Sequence, residues 1–478
     1  MSQLQPDERT KPNQGSVRPR LLLVAFCCDQ HESMEHRNGW KRALRATRHF
    51  DVTVLCGPQS NAEILNKEIE GQFSPTQLSF SAPPVDGLTQ KLLSSEMLFY
   101  FGYRRWLKRI YEYAKQLDRE SGLATCHLVS LCGYRDPGIF WKLQAKFLWG
   151  PIGGTSDFPL RYLGIMDIKG GMVELLRNVV NSSQLRLSSR IRRAMSNTTT
   201  LVSANRSTQR DLKKHFNIDS ELELETGIDF PVASPRPLRN LDQPFKILWA
   251  GRLRSWKGLP LLIHALAKVP STIPIQVKVV GGGICKRAWQ KLSVRLGVDH
   301  LIEWIDRPPY RDSLSHYQWA DAFAFTSLRD TSGTGLLESL AMGAPIIGLD
   351  HQGSADIMTD ESAIRVSIRN PATTIKEFSE AIVRLAQDAD LLKRLSDGAR
   401  TRATKFVWDH RQGAIDEAYQ NLANQHFHSG IQAEEVRLHA VAIAMPSLAT
   451  MVSQNHRSIP KLQSNAISGL KREMNQRK

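Results

Sequence analysis

Short apolar runs alternate along most of the chain with stretches in which apolar residues recur every three or four positions. LLLVAF (21–26), GWKRALRATRHF (39–50) and DVTVLCG (51–57) read as strand, helix and strand. HLVSL (127–131), KFLWG (146–150) and TLVSA (200–204) continue the strands. Between them, Gln90 to Arg119 carries Leu92, Leu93, Leu98, Trp106, Ile110 and Tyr113 among polar residues, which predicts a long amphipathic helix loosened near Gly102. Residues 172–195 also read as helix, with Arg177, Arg186, Arg190, Arg192 and Arg193. A second series follows: FKILWAG (245–251), QVKVVG (276–281), LIEWI (301–305), AFAFTS (322–327), PIIGLD (345–350) and AIRV (363–366). Helical patterns separate these strands, such as 259–269 with Leu259, Leu262, Ile263, Leu266 and Val269 on one face.

Near-continuous apolar strands require a sheet covered on both faces. The predicted fold class is therefore α/β, with two doubly wound parallel sheets, Rossmann-like, facing each other across a cleft. The proline-rich stretch DFPVASPRPLRNLDQP (229–244) marks the division between them. The expected organisation is a loose polar tail at 1–19, a first domain at 20–240, a second at 241–405, a helix at 406–426 packing back on the first domain, and a poorly ordered basic tail at 427–478.

Composition narrows the class. A 478-residue chain with 41% hydrophobic and 23% charged residues is globular and excludes a disordered or collagen-like protein. The net charge of +16 favours anionic partners such as nucleotides or phosphate-bearing lipids. Nucleic acid is disfavoured, because the basic residues lack interleaved aromatics and a recognisable domain. Cys27, Cys28, Cys56, Cys126, Cys132 and Cys285 form no C-x-x-C pair, so they read as thiols in a reducing compartment. No apolar run nears the roughly 20 residues that cross a bilayer, and a cytoplasmic location is expected. The arginines of 177–193 interleave with Val179, Val180, Leu185, Leu187 and Ile191, so this helix either lies on an anionic membrane surface or is an ordinary solvated helix.

Ligands of open parallel sheets bind beyond the carboxyl ends of the strands. After FKILWAG, the loop Gly251-Arg252-Leu253-Arg254-Ser255-Trp256-Lys257-Gly258 sets a guanidinium and an ammonium at such an edge, a pair suited to a diphosphate. The same cations would serve equally as solvated surface. After AFAFTS, the run Asp330-Thr-Ser-Gly-Thr-Gly-Leu-Leu-Glu338 offers backbone N–H groups around Gly333, Thr334 and Gly335. Glu338 falls in the first turn of the helix that follows, able to accept from vicinal hydroxyls. Its alternative role is to complement that helix's dipole.

Taken in order, GRLRSWKG, VVGGG, ADAFAFTSLRDTSGTGLLESLAMGAPII and LDHQG resemble the donor half of family 4 glycosyltransferases, over about 245–425. The resemblance implies the GT-B fold, a nucleoside diphosphate sugar as donor, retention at the anomeric carbon and no metal. It implies that Arg252 and Lys257 hold the diphosphate next to Gly251, that Glu338 faces the ribose, and that Asp330 stands where the family carries the sugar-facing glutamate. HLVSLCGYRDPGIFWKLQAKFLWGPIGG is similar to the acceptor domain of some members, implying that His127 faces the cleft as a catalytic residue and that Gly153 and Gly154 form a close turn. TGID (226–229) resembles the link before the second domain, whereas His31-Glu-Ser-Met-Glu35 lacks the glycine such relatives carry there. The implied reaction is sugar transfer to a carbohydrate or lipid-linked acceptor, in polysaccharide or glycoconjugate synthesis, and the expected location is cytoplasmic, either free or peripheral on the inner face of the cell membrane. Two other classes stay open: another sugar-nucleotide enzyme such as an epimerase or phosphorylase, and a non-catalytic basic binding protein on the same scaffold.

Overall fold

The structure is a computed structural model that describes residues 18–426 except 32, 33, 96, 130, 132 and 412. The tail at 427–478, nearly all of that at 1–19, and Cys132 thus lie outside the described residues. Arg18 and Pro19 are tied down: Arg18 pairs with Asp51 at 3.6 Å, and the Asp51 N–H donates to the Pro19 carbonyl at 2.9 Å.

The first lobe is built on β1 (Arg20–Ala25), β2 (Asp51–Cys56), β3 (Leu78–Ser81), β4 (Thr125–Leu128), β5 (Lys146–Ile152), β6 (Thr200–Ser203) and β7 (Glu221–Leu222). They form one parallel sheet in the order β3-β2-β1-β4-β5-β6-β7. The second lobe has β8 (Phe245–Ala250), β9 (Ile275–Val280), β10 (Ile302–Ile305), β11 (Ala322–Phe325), β12 (Ile346–Leu349) and β13 (Ala363–Val366). Its order is β10-β9-β8-β11-β12-β13, again all parallel. The fold is GT-B: two facing Rossmann-like lobes. The direction of winding reverses between β1 and β4, and between β8 and β11, and such switch points open ligand crevices at the carboxyl edge.

The apolar runs form strands because each sheet buries both faces. Leu21, Leu23 and Val52 pack on one side of the first sheet, and Leu22, Val24 and Phe147 on the other. Several predicted strands end early. AFAFTS leaves the ladder after Phe325, since Thr326 turns its hydroxyl to accept from the Trp249 indole N–H at 2.9 Å. The short edge strands β3 and β7 have little apolar signal and were not predicted.

The predicted helix at 90–119 is two helices, Gly87–Ser94 and Phe99–Ser121. The break precedes Gly102. That glycine lies inside the second helix, where a Cβ would come within 2.8 Å of the Leu93 nitrogen, so its role is a close crossing of the two helices. The basic stretch likewise divides, into Ile168–Leu187 and Ser189–Ser196, with the Ser188 hydroxyl capping the second helix through the Ile191 N–H.

The described residues up to Ala423 form one compact unit, and the lobes exchange parts within it. Phe158 and Tyr162, from the first half, enter the core of the second lobe, where Tyr162 hydrogen-bonds Thr374 at 2.7 Å. In return Ile415, Tyr419 and Leu422 pack on the first sheet. Glu223 is buried between Arg42 and Arg411, whose guanidiniums lie 4.8 and 5.5 Å from the Trp408 ring. Those two cations hold the Glu223 carboxyl below its ordinary range although burial opposes them.

Candidate functional site

The loop after β8 is fixed before any ligand is considered. Gly258 has φ +63° and a Cβ there would meet the Thr326 carbonyl at 2.3 Å, so only glycine lets the loop approach β11 this closely. The Thr326 hydroxyl then donates to the Lys257 carbonyl at 2.7 Å. These ties aim the Lys257 ammonium at Asp330, which it meets at 2.5 Å with about a fifth of each side chain exposed. Two predicted residues from motifs 73 positions apart are thereby joined at the carboxyl edge of the second sheet.

The first lobe closes over this edge. A Cβ on Gly153 would lie 2.2 Å from the Thr331 methyl, and the Asn205 amide donates to the Thr331 carbonyl at 2.7 Å. Gln352, at the end of LDHQG, bridges both sides: its carbonyl accepts from the Asp330 N–H at 2.9 Å and its amide donates to the Asp157 carbonyl at 3.1 Å. Glu174 and Arg329 form a bidentate pair with both contacts at 3.1 Å. The Arg329 guanidinium also stacks over the Trp256 ring at 4.9 Å.

These contacts enclose a hollow of about 130 Å³ lined by Gly154, Arg177, Trp256, Arg329, Asp330 and Thr331, among others. Ligand sites commonly span about 300 to 1,000 Å³, so an entire sugar nucleotide requires the lobes to part or the ligand to extend outside. Arg177 donates to the carbonyls of Ser156 and Gly154 at 3.2 and 3.4 Å. Burial first, and then the neighbouring Arg329 and Arg135, bring its pKa down to about 10. It stays protonated, and the crowding of like charges makes the hollow attractive to an anion. A larger hollow of about 320 Å³, with Arg236, Lys246, Trp319 and Asp321 in its wall, lies at the amino ends of β8 and β11. That is the wrong edge of the sheet for a switch-point ligand.

The remaining predicted residues scatter more widely. Gly333 has φ +67° and precedes helix Thr334–Ala341, so Gly333, Thr334 and Gly335 lie at the amino end of that helix. Glu338 is the fifth residue of this helix, one turn deeper than predicted, and is buried. It neighbours Tyr310 and Tyr317, whose phenols are raised by burial and secondly by the Glu338 charge. Arg37 of the first lobe lies 5.1 Å over the Tyr310 ring and pairs with Asp229 at 2.7 Å. Glu338 therefore occupies a second part of the cleft, outside the hollow. Arg252 is exposed and does not line the hollow either. Gly251 and Gly154 lie at positive φ, +158° and +79°, and a Cβ on Gly153 would collide with Thr331.

His127 is corrected outright. It is wholly buried in β4, with its two ring nitrogens bonded to the Tyr419 hydroxyl at 2.7 Å and the Gly150 carbonyl at 2.8 Å. Burial brings its pKa down to about 3. It fastens the first sheet to the returning helix and does not face the cleft. Sequence reasoning missed Arg329, Glu174, Asn205, Thr331 and Gln352, and it read Arg177 only as one of a row of basic residues, either on a membrane surface or in solvent. For Gln352 a usable signal existed in LDHQG, beside the glycine on which Thr331 rests. Among the described residues, no cluster of three His, Cys, Asp or Glu side chains could hold a metal ion.

The fold and cleft define a GT-B protein, and comparison with known proteins narrows the class. Residues 233–402 match the family described as Glycosyl transferases group 1, which shows the resemblance over the second lobe. The D-inositol 3-phosphate glycosyltransferase of Streptomyces bingchenggensis is 34% identical over 185 residues, 36% of this chain. The chain spans only 39% of that relative's length. Sucrose-phosphate synthase from Thermosynechococcus elongatus shares the fold at TM-score 0.58 and 15% identity, covering 86% of this chain and all of its own. HepE of Anabaena, in complex with UDP-glucose, superposes at TM-score 0.54 and 12% identity over 85% of this chain and 99% of its own.

Proposed function

We propose that this protein is a retaining glycosyltransferase that moves a sugar from a nucleoside diphosphate to a carbohydrate or lipid-linked acceptor in polysaccharide or glycoconjugate synthesis. The observation that carries the reading is the Lys257–Asp330 pair at the carboxyl edge of the lobe that matches the group 1 family. Lys257 and Arg252 take the diphosphate, Glu338 the ribose hydroxyls, and Asp330 the sugar hydroxyls. The amides around Gly333, Thr334 and Gly335 supply further donors to the sugar and its phosphates.

As the bond to the anomeric carbon breaks, negative charge grows on the departing diphosphate. A fixed ammonium in a nearly closed cleft stabilises that charge more than it does the ground state, by about 3 kcal/mol for one well-placed donor. Arg329 and Arg177 hold the surrounding potential positive without needing to touch the leaving group. Closure of Thr331 onto Gly153 keeps water from competing with the acceptor.

The test begins with thermal stabilisation by UDP, GDP, ADP and TDP sugars, UDP sugars first because HepE was solved with one. Acceptor-dependent release of nucleoside diphosphate is then measured on wild type and Lys257→Ala. The expected result is stabilisation by one donor class and a fall of about a hundredfold or more in the variant. Near-normal release by the variant overturns the assignment, and binding without turnover favours the non-catalytic alternative.

A further inference from the structure

Helix Ile168–Leu187 is inside out. Its buried positions are Glu174, Asn178, Asn181 and Leu185, three of them polar. Each polar one is satisfied by the body of the protein. Asn178 exchanges hydrogen bonds with the Phe158 backbone at 2.9 and 2.7 Å, Asn181 accepts from the Tyr134 hydroxyl at 2.8 Å, and Glu174 holds Arg329. At 100° per residue these four fall within one narrow arc, and the opposite arc is apolar apart from Ser183 and Lys169. Ile168 is 83% exposed, Met172 67%, Leu176 64%, and Val179 57%. Leu187 lies on the same side. An ordinary surface helix of a globular protein buries such a face.

The charges around this face are one-sided. From Ile168 to Ser196 the chain has six Lys or Arg and a single acid, Glu174, which is turned inward. Lys169, Arg186, Arg190, Arg192 and Arg193 are exposed beside the apolar arc. A neighbouring patch carries Met97, Tyr100 and Phe101, all exposed. The two are linked by Asp136, which pairs with Arg104 on the helix bearing Tyr100 at 2.5 Å and with Arg190 at 3.2 Å. Apolar and aromatic side chains rimmed by arginine match the boundary between lipid tails and anionic headgroups. Among the described residues no helix is long and apolar enough to cross a membrane, so such a helix lies along the surface.

We infer that helix Ile168–Leu187 docks in the plane of an anionic lipid bilayer. It would then hold the cleft at the membrane: Arg177 of the same helix lines the hollow, and a helix with its side chains is only about 10 Å across. An acceptor anchored in that bilayer reaches the donor without leaving the lipid. This last step rests on the glycosyl-transfer reading, whereas docking itself does not.

The whole chain is sedimented with vesicles of phosphatidylcholine alone and of phosphatidylcholine mixed equally with phosphatidylglycerol, so the readout needs no sugar nucleotide. Binding to the mixed vesicles is expected to be about tenfold tighter or more, and to weaken at high salt. Leu176→Asp with Val179→Asp weakens it by about tenfold or more, and Arg186→Ser with Arg193→Ser narrows the gap between the two vesicle types. Leu176→Ser makes the same comparison if the aspartates disturb the circular dichroism spectrum. Absence of binding to mixed vesicles, or binding indifferent to the apolar variants, overturns the proposal. So does a lipid-free dimer abolished by Leu176→Asp, which would make the face an interface between copies. Loss of donor turnover in Lys257→Ala leaves vesicle binding unchanged, which separates this proposal from the enzymatic one.

Discussion

Arg329 and Glu174 lock the two lobes together across 155 residues of sequence, with two contacts of 3.1 Å and the carboxylate wholly buried. The residue after Arg329 is Asp330, the partner of Lys257, so one loop carries both the lobe-to-lobe contact and the candidate chemistry. Opening the cleft must break the pair, and a buried carboxylate left without its cation is costly. The closed arrangement therefore rests in part on this ion pair beside the site, together with the Asn205–Thr331 and Gln352–Asp157 contacts.

Arg329→Ala should destabilise the protein more than Glu174→Gln. The first leaves a buried carboxylate unpaired, a loss of about 3 kcal/mol or more. The second leaves a guanidinium that is one-fifth exposed and still stacked on Trp256. Urea unfolding of both variants checks the order, and equal or inverted losses would contradict it.

The Gly153 contact makes a coupled prediction. Gly153→Ala places a methyl against Thr331 and should cost about 1 to 3 kcal/mol, through overpacking or through lobes held apart. Thr331→Ala removes the atoms at 2.2 and 2.9 Å and leaves the nearest at 3.2 Å, so the double variant should recover most of the loss. A thermodynamic cycle on the four proteins measures the coupling, and strict additivity would refute it.

Glu338→Gln preserves the shape of the buried site and removes the charge. Donor affinity should fall about tenfold or more, the worth of one charge-assisted hydrogen bond, while far-ultraviolet circular dichroism stays unchanged. Titration calorimetry with the stabilising sugar nucleotide decides it. Unchanged affinity would remove Glu338 from the ribose site.

Stability should decline as the solution is acidified from neutrality. His127 titrates near 6.5 when unfolded and at about 3 when folded, so between those values the unfolded chain binds more protons and gains on the native state. His351, brought by burial to about 4, acts in the same direction. At pH 5 His127 alone should remove about 2 kcal/mol relative to pH 7. His127→Gln should flatten the pH dependence of the unfolding free energy while lowering stability throughout; an unchanged slope would disprove the account.

The two parallel sheets, the motif order of the second lobe and the loops that hold Lys257, Asp330 and Gly333 follow from the chain alone. The physical reason is local. A strand covered on both faces needs an unbroken apolar run, and a glycine that must adopt positive φ beside a strand end leaves a recognisable pattern. The helix break at 95–98 was less legible, because Gly102 reads equally as a flaw in a helix or as a place where two helices touch.

Which side chains meet was decided only by tertiary structure. His127 at a strand start reads the same whether it faces a cleft or the body, and the choice was made by Tyr419, 292 positions later. Arg177 reads like its neighbouring arginines until the fold turns it to the carbonyls of Gly154 and Ser156. Glu174 gained its meaning from Arg329 in the other lobe. Periodicity specifies the face a residue occupies, but the partner opposite that face comes from distant chain, and burial then fixes its charge and role.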